Sequence, residues 1–159
     1  MQIRLAEQKD IPVILQLLRQ VGQVHHDIRP DIFPEGTLKY DADALRPILV
    51  DEDRPIFVAV EQDAVAGYCF CIRKRFGSSS STCREELYID DLCVDENRRG
   101  QGIASALYRH TVNYARSLGC HSVTLNVWCG NDGAMKFYEK QGLTPRNIMM
   151  ELRLEEPEC

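Results

Sequence analysis

The stretch R-R-G-Q-G-I-A, residues 98–104, decides the fold of this 159-residue chain because two hydrophobic patterns meet there. Before it, L-Y-I-D-D-L-C-V, residues 87–94, reads as a β-strand. After it, apolar residues recur at helical spacing from Ile103 to Leu118. Glycines at the start of a helix let the backbone approach a ligand, and the free N–H groups of a helix N-terminus attract anions. The stretch therefore predicts a strand, an anion-binding turn and a helix.

Composition indicates one folded domain over residues 1–154, followed by a short tail over 155–159. Hydrophobic residues make up 44% of the chain and charged residues 27%. The net charge of -5 argues against a nucleic-acid partner, which needs a basic surface. The absence of an 18-residue apolar run argues against a membrane partner. The seven cysteines include no C-x-x-C pair, so we expect reduced thiols and a cytoplasmic location.

Periodicity and turn residues predict the element order β-α-α-β-β-β-α-β-α-β. The strand, helix and strand of the second half need a parallel pair, whereas the hairpins before them are antiparallel, so the sheet is mixed and the class is α/β (α+β). Four finer expectations are an irregular loop over 25–36, a flexible connection over 77–84, a strand over 123–127 and a last strand over 148–154.

The glycine turn fits neither of two common nucleotide motifs. A P-loop requires a lysine after its last glycine, and none follows here. A dinucleotide fingerprint requires a third glycine, but position 105 is serine. The residues alone leave two interpretations open, an anion site and a tight turn that binds nothing.

Read as R-x-x-G-x-A, Arg99 to Ala104 resembles the [QR]-x-x-G-x-[GA] signature of the GNAT superfamily of acyl-CoA-dependent N-acyltransferases. Residues 87–94 resemble the central strand of that family, and residues 126–143 resemble its N-x-x-A-x-x-x-Y-x-x-x-G-[LF] segment. These motifs are locally similar to those of diamine acetyltransferases. The resemblance implies the GNAT fold, a mixed central sheet with a splayed parallel pair of strands and helices on both faces. It also implies acetyl transfer from acetyl-CoA to a primary amine by direct attack in a ternary complex.

The resemblance further implies where coenzyme A binds. The pyrophosphate would lie on the turn, and the pantetheine arm would pair with the strand before it. For Arg98 a solvated surface role stays open, and for Asn131 a helix cap. The implied contacts are Leu92, Cys93, Val94, Arg98, Arg99, Gly100, Gln101, Gly102, Ile103, Ala104, Ser105 and Asn131.

Proton transfer needs further groups, because an alkyl amine with a pKa of about 10 is about one part in a thousand neutral at pH 7. By resemblance Asp90 is the base and Tyr138 reprotonates the leaving thiolate. The alternatives are an ion-paired Asp90 and a Tyr138 that only packs. Adjacent strand residues point to opposite faces, so at most one of Asp90 and Asp91 is expected to face the acetyl group. A covalent route through Cys93 lacks a neighbouring histidine in the sequence.

The acceptor stays open among a polyamine-like small amine, an amino acid or antibiotic, and a protein N-terminus. His25, Asp27 and Asp91 are the candidate acceptor contacts, and a homodimer is possible. No metal is expected, because the neighbouring His25 and His26 alone do not make a metal site. The rival function is a non-catalytic acyl-CoA-binding or regulatory module on the same fold.

Overall fold

The computed structural model describes residues 1–78 and 81–154, and its centre is a five-stranded sheet in the order β1-β2-β3-β4-β5. The first four strands pair antiparallel, and β5 pairs parallel with β4, so the predicted mixed sheet is confirmed. The strands are β1 (Gln2–Leu5), β2 (Ile56–Glu61), β3 (Ala64–Ser78), β4 (Ser81–Val94) and β5 (Ser122–Leu125).

Helices cover both faces of this sheet, as the fold class predicts. Ile14, Leu17 and Leu18 of the first helix are buried against β2 and β3, and Leu107 of the third is buried against the opposite face. Strand alternation produces these two apolar layers. Tyr68 of β3 packs in the layer under the first helix, and the next residue, Cys69, packs in the layer under the third helix. The helices are α1 (Ile11–Ile28), α2 (Ala42–Ile48), α3 (Ile103–Ser117) and α4 (Asp132–Lys140).

A β-bulge interrupts the alternation of β4 where the two aspartates lie. Asp91 pairs with Phe70 and Ile89 pairs with Cys71, which leaves Asp90 without a partner in the ladder. Apolar residues of β4 therefore face α3 at Ile89 and again at Leu92, a spacing of three rather than two. Asp90 and Asp91 consequently share the other face, and the expectation that these two neighbours point to opposite faces is wrong.

Two segments expected to be irregular belong in part to regular elements, although residues 29–36 are irregular as expected. Helix α1 continues through His25 to Ile28, because its apolar period continues, and ends just before Pro30, which disfavours helix in the preceding residue. In the polar run 77–84, β3 continues to residue 78 and β4 begins at 81, while residues 79–80 lie outside the described residues. Cross-strand contacts such as Arg75–Glu85 hold this ribbon, and composition alone does not reveal such pairing.

The C-terminal expectations also need correction. Strand β5 ends at Leu125 rather than at 127, because the chain diverges from β4 after Ile89. Residues 141–154 contain no strand, although 148–154 alternates like one. Alternation predicts a strand only where one face can be buried, and the apolar side chains from Ile148 to Leu154 are 80–91% exposed.

Candidate active site

The site lies where β4 and β5 separate. The two strands pair only between Glu86–Ile89 and Ser122–Leu125, so β4 runs on to Val94 without a neighbour on that side. A cavity of about 480 Å³ opens at this gap. Its walls come from the end of β4, from α1 with the chain that follows it, from the chain after β5, and from α4. Six sequence-predicted residues line it: His25, Asp90, Asp91, Leu92, Asn131 and Tyr138.

The glycine turn has the backbone that an anion cradle requires. Gly100 and Gly102 have φ of 77° and 81°, values that favour glycine, and Gly102 caps α3 without a side chain. The first helical hydrogen bond runs from the Ala106 N–H to the Gly102 carbonyl at 3.0 Å. The three N–H groups from Ile103 to Ser105 therefore have no acceptor within the helix. A Cβ built on either glycine would meet no atom within 4 Å, so the space beside both glycines is open.

The side chains around the turn have roles of their own. Arg99 is exposed, and its Nε donates to the Val94 carbonyl at 3.4 Å. Ser105 accepts a hydrogen bond from Gln141 at 3.3 Å. Asn131 caps α4 by accepting from the Ala134 N–H at 3.2 Å and also lines the cavity. The helix-cap alternative for Asn131 is thus present in the geometry, beside its position at the site.

Cys93 points away from the gap, into the core under α1. Its Sγ lies 3.5 Å from the Leu17 carbonyl, and burial raises its pKa to about 12. A thiol in this state is a poor nucleophile at neutral pH, because the thiolate is the reactive form. Only the backbone of Cys93 is available to a ligand in the gap, so the structure gives no support to the covalent route.

Asp90 lies on the cavity wall and is ion-paired. Lys39 Nζ is 2.8 Å from its carboxylate, and the Tyr40 hydroxyl donates to that carboxylate at 3.1 Å. Lys39 also donates to the Asp90 backbone carbonyl at 3.1 Å, which fixes the ammonium above the bulge. Arg54 donates to the Tyr40 hydroxyl at 3.1 Å and so supports this arrangement from behind.

Asp91 lies deeper in the same cavity and has a different environment. Its carboxylate accepts a hydrogen bond from the buried Tyr68 hydroxyl at 2.8 Å, and the residue lines the cavity. Burial raises the pKa of Asp91 to about 6, against the opposing effects of Tyr68 and Lys39. Asp91 is therefore a base whose strength suits neutral pH.

Tyr138 of α4 combines both roles that the sequence left open. Its ring packs against Phe137 and Tyr108, with centroids 5.0 and 6.3 Å away, and it also lines the cavity. Burial raises the pKa of its hydroxyl well above the ordinary value for tyrosine. The hydroxyl consequently keeps its proton at neutral pH and can act as a donor.

An aromatic row forms part of the cavity wall. Phe33 packs against His25 at 5.1 Å and against Trp128 at 5.2 Å between ring centroids. Burial lowers the pKa of His25, so the imidazole is neutral at pH 7. Asp27 is not among the cavity residues; it is exposed on α1 and accepts a hydrogen bond from Gln23 at 2.7 Å.

Sequence reasoning missed four residues that shape this site: Phe33, Lys39, Tyr68 and Trp128. They come from three separate parts of the chain, and no motif marks them. Tyr68 offered the only local signal, since strand alternation places it on one face of β3, but its contact with Asp91 depends on the bulge.

Within residues 1–78 and 81–154, no group of three or more His, Cys, Asp or Glu could hold a metal ion. No helix of the described chain is long and apolar enough to span a membrane.

A splayed parallel pair of strands followed by a glycine turn is the arrangement that the sequence motifs implied. The family model for the acetyltransferase (GNAT) family matches residues 22–143. The chain belongs to the GNAT acetyltransferase family. This confirms the predicted fold and enzyme class, an acetyl-CoA-dependent acyltransferase.

Several known proteins are similar to the chain, to different degrees. A crystal structure of a mutant BH1408 protein from Bacillus halodurans superposes with a TM-score of 0.93 at 28% identity, covering 98% of this chain and 100% of that one. Glucosamine 6-phosphate N-acetyltransferase 1 of Oryza sativa subsp. japonica is 31% identical over 66% of this chain and 57% of its own length. N-alpha-acetyltransferase 30 of Schizosaccharomyces pombe is 33% identical over 54% of this chain and 55% of its own. The chain thus spans little more than half of these two curated relatives, whose names point to different acceptors.

Proposed function

We propose that this GNAT protein transfers the acetyl group of acetyl-CoA to a primary amine by direct attack in a ternary complex. The observation that carries the proposal is the cavity at the gap between β4 and β5. It brings a carboxylate suited to accept a proton, Asp91, and a neutral hydroxyl suited to donate one, Tyr138, to the walls of one space. A non-catalytic module would not need this pair.

Coenzyme A fits the residues at the open side of this gap. The N–H groups from Ile103 to Ser105 would hold its pyrophosphate, with charge added by Arg98 and Arg99. The unpaired edge of β4 from Leu92 to Val94 would pair with the pantetheine arm as an added strand does. When bound, acetyl-CoA would supply a thioester as the acetyl donor, which suits attack by an amine.

We assign the base to Asp91 and a binding role to Asp90. An acceptor ammonium must lose a proton before it can attack, and a carboxylate with a pKa of about 6 is ionised at pH 7 and more basic than an ordinary aspartate. Asp90 already has Lys39 as its partner at 2.8 Å. It therefore serves better to hold Lys39 at the cavity wall than to accept the proton itself.

Tyr138 is the proposed donor of the last proton. The leaving thiolate of coenzyme A is the conjugate base of a thiol whose pKa is about 8.5, so it departs with little help. A neutral tyrosine at the cavity prevents its return by protonating it. We therefore expect a modest contribution from this residue.

The cavity supports a small acceptor in preference to a protein N-terminus. About 480 Å³ is a typical size for a small-molecule site, and the row His25–Phe33–Trp128 lines part of it. Asp90 and Asp91 face one ammonium, that of Lys39, which leaves about one negative charge for a cationic amine. We propose a small primary amine with one cationic group, a class that includes amino acids and amino sugars.

The test is release of free thiol from acetyl-CoA over a panel of amines. The panel holds amino acids, amino sugars, a diamine, an aminoglycoside and a peptide with a free N-terminus, and mass spectrometry identifies any acetylated product. We expect release with at least one small monoamine. Tight coenzyme A binding without release by any amine would overturn the enzyme mechanism, and release by the peptide alone would overturn the small acceptor.

A further inference from the structure

Lys39 brings a primary ammonium into the cavity in which the acceptor amine is proposed to bind. Of the five lysines, all within the described residues, only Lys39 lines this cavity. A lysine side chain ends in an alkyl amine, which is the chemical group that the proposed reaction acetylates. The protein thus carries an acceptor group of its own at the site.

The contacts of Lys39 hold its ammonium at the bulge of β4. Its Nζ lies 2.8 Å from the Asp90 carboxylate and 3.1 Å from the Asp90 backbone carbonyl. The proposed pantetheine arm starts from the glycine turn and runs back along β4 from Val94 to Leu92, so its thioester end lies on the Leu92 side. Leu92 is two residues from Asp90, a distance of about 7 Å along a strand. The ammonium and the thioester end of the arm are therefore neighbours.

The groups assigned to proton transfer line the space that Lys39 enters. Asp91 shares a face of β4 with Asp90 because of the bulge, and Tyr138 lies on the wall of the same cavity. The charge of Lys39 also lowers the pKa of Asp91, as a nearby cation does. Lys39 is consequently placed as an added acceptor amine would be.

We propose that the protein acetylates its own Lys39 from acetyl-CoA when no acceptor amine occupies the cavity. This reaction rests on the proposed function, since it uses the same acetyl donor and the same base. It makes Lys39 a modification site as well as a partner of Asp90.

The protons and bonds of this transfer balance. The Lys39 ammonium gives one proton to the Asp91 carboxylate, and the neutral nitrogen attacks the carbonyl carbon of the thioester. The carbon–nitrogen bond forms, the carbon–sulfur bond breaks, and the thiolate takes a proton from the Tyr138 hydroxyl. A second proton leaves the nitrogen and restores that hydroxyl. The products are an amide at Lys39 and free coenzyme A, and Asp91 releases its proton to water.

Self-acetylation changes the charge of the cavity. The Lys39 ammonium is the cation that pairs with Asp90, whereas an acetylated lysine is neutral. The modified cavity holds Asp90 and Asp91 without that cation. Because Lys39 and an added amine use the same thioester and the same base, an amine that occupies the cavity should protect Lys39.

Peptide mass spectrometry of the full chain, incubated with acetyl-CoA and no added amine, tests the proposal. Lys39 should be acetylated about 100-fold faster than Lys9, because position and base act on Lys39 alone. Lys9 is the matched control, since its Nζ also lies 2.8 Å from a carboxylate, that of Glu7. Its side chain is more exposed than that of Lys39, 67% against 40%. Equal rates at the two lysines would mean spontaneous acetylation and would overturn the proposal.

Two variants test the roles of the base and of the amine. Asp91→Asn should slow the acetylation of Lys39 about 100-fold and leave that of Lys9 unchanged. Lys39→Arg keeps a positive charge for Asp90 but removes the amine. Without added amine, the wild type should release about one thiol per chain by this transfer, and Lys39→Arg should release none. An unchanged rate at Lys39 in Asp91→Asn, or the same release by Lys39→Arg, would overturn the proposal.

A mixing experiment tests whether the transfer occurs within one chain. Asp91→Asn labelled with a heavy nitrogen isotope is incubated with the unlabelled wild type and acetyl-CoA. Lys39 of the labelled chain should stay unmodified, because its own site lacks the base. Equal acetylation of the labelled and unlabelled chains would mean transfer between chains and would overturn self-acetylation.

The amine panel separates self-acetylation from the proposed function. An amine that releases thiol should protect Lys39, and the protection should deepen as the amine concentration passes its KM. Release by an amine without acetylation of Lys39 in its absence would overturn self-acetylation and leave the proposed function intact. Acetylation of Lys39 without release by any amine of the panel would support self-acetylation and overturn the small acceptor. If neither reaction occurs, both are wrong.

Discussion

The glycine turn and the carboxylate cavity, two adjoining parts of the site, are built in different ways. The turn uses backbone groups of one continuous segment, residues 99–105, and its geometry follows from two glycines and the start of α3. The cavity uses side chains from α1, β4 and α4, and from the connections that follow α1 and β5. A binding site formed by backbone groups can thus come from one short stretch of sequence, whereas a catalytic site formed by side chains depends on how the whole chain folds.

The two parts also differ in how they respond to pH. The N–H groups of the turn carry a fixed partial charge that does not titrate. The cavity holds Asp91, whose pKa is about 6, and therefore changes charge near neutrality. Substitutions at the cavity and changes of pH should consequently alter turnover, while coenzyme A binding at the turn stays nearly unchanged.

The largest expected effect is that of Asp91→Asn. Removing a general base lowers turnover by about 100- to 1000-fold, whereas the KM for acetyl-CoA should change little because the turn is intact. In the wild type, kcat/KM should rise with pH through about 6 as Asp91 ionises. Steady-state kinetics between pH 5 and 9 measures this rise of kcat/KM, the acid limb of the pH profile. Asp91→Asn should abolish the limb.

Two variants and a stability measurement control this experiment. Asp90→Asn should lower activity less and keep the limb near pH 6. Tyr68→Phe removes the hydrogen bond that lowers the pKa of Asp91, so it should move the limb to higher pH.

Asp91→Asn should raise the free energy of unfolding at pH 8, by on the order of 2 kcal/mol, because a raised pKa means that ionisation opposes folding above about pH 6. A pH limb that follows Asp90 rather than Asp91 would reverse our assignment.

The sequence predicted the turn and most of the fold because those features are local. Gly100 and Gly102 mark the turn, the apolar period from Ile103 marks α3, and Gly119 marks its end. The sequence did not predict that Asp90 and Asp91 share a face. That outcome comes from a single extra residue in the pairing of β4 with β3, and strand alternation carries no sign of it.

The remaining misses have a similar physical origin. Residues 148–154 alternate as a strand does, yet they pair with no strand in the described part of the chain, although β5 stands at the end of the sheet. Lys39 reaches Asp90 from the connection after α1, across 51 positions of sequence. Contacts of this kind are set by how the elements pack, and a single sequence does not encode them in any short motif.

A smaller effect is expected for Gly102→Ala, which tests the turn. Alanine at φ of 81° is strained by about 1 kcal/mol, and its Cβ would occupy open space at the turn where we propose that the pyrophosphate binds. The KM for acetyl-CoA should rise about tenfold, with kcat nearly unchanged. The matched control is Gly119→Ala at the far end of α3, where φ is 72° and the surroundings are equally open. An equal rise in KM for both variants would mean that strain alone, rather than the anion site, is responsible.

The smallest expected effect is that of Tyr138→Phe, which tests whether the ring or the hydroxyl matters. The ring packs against Phe137 and Tyr108 in either variant, so stability and the KM for acetyl-CoA should be nearly unchanged. The kcat should fall about 3- to 10-fold, because a thiol of pKa about 8.5 leaves fairly well without an acid. Tyr108→Phe is the matched control, since this buried tyrosine packs against Tyr138 but is not a cavity residue. A loss of thermal stability in Tyr138→Phe with no change in kcat would mean that Tyr138 only packs.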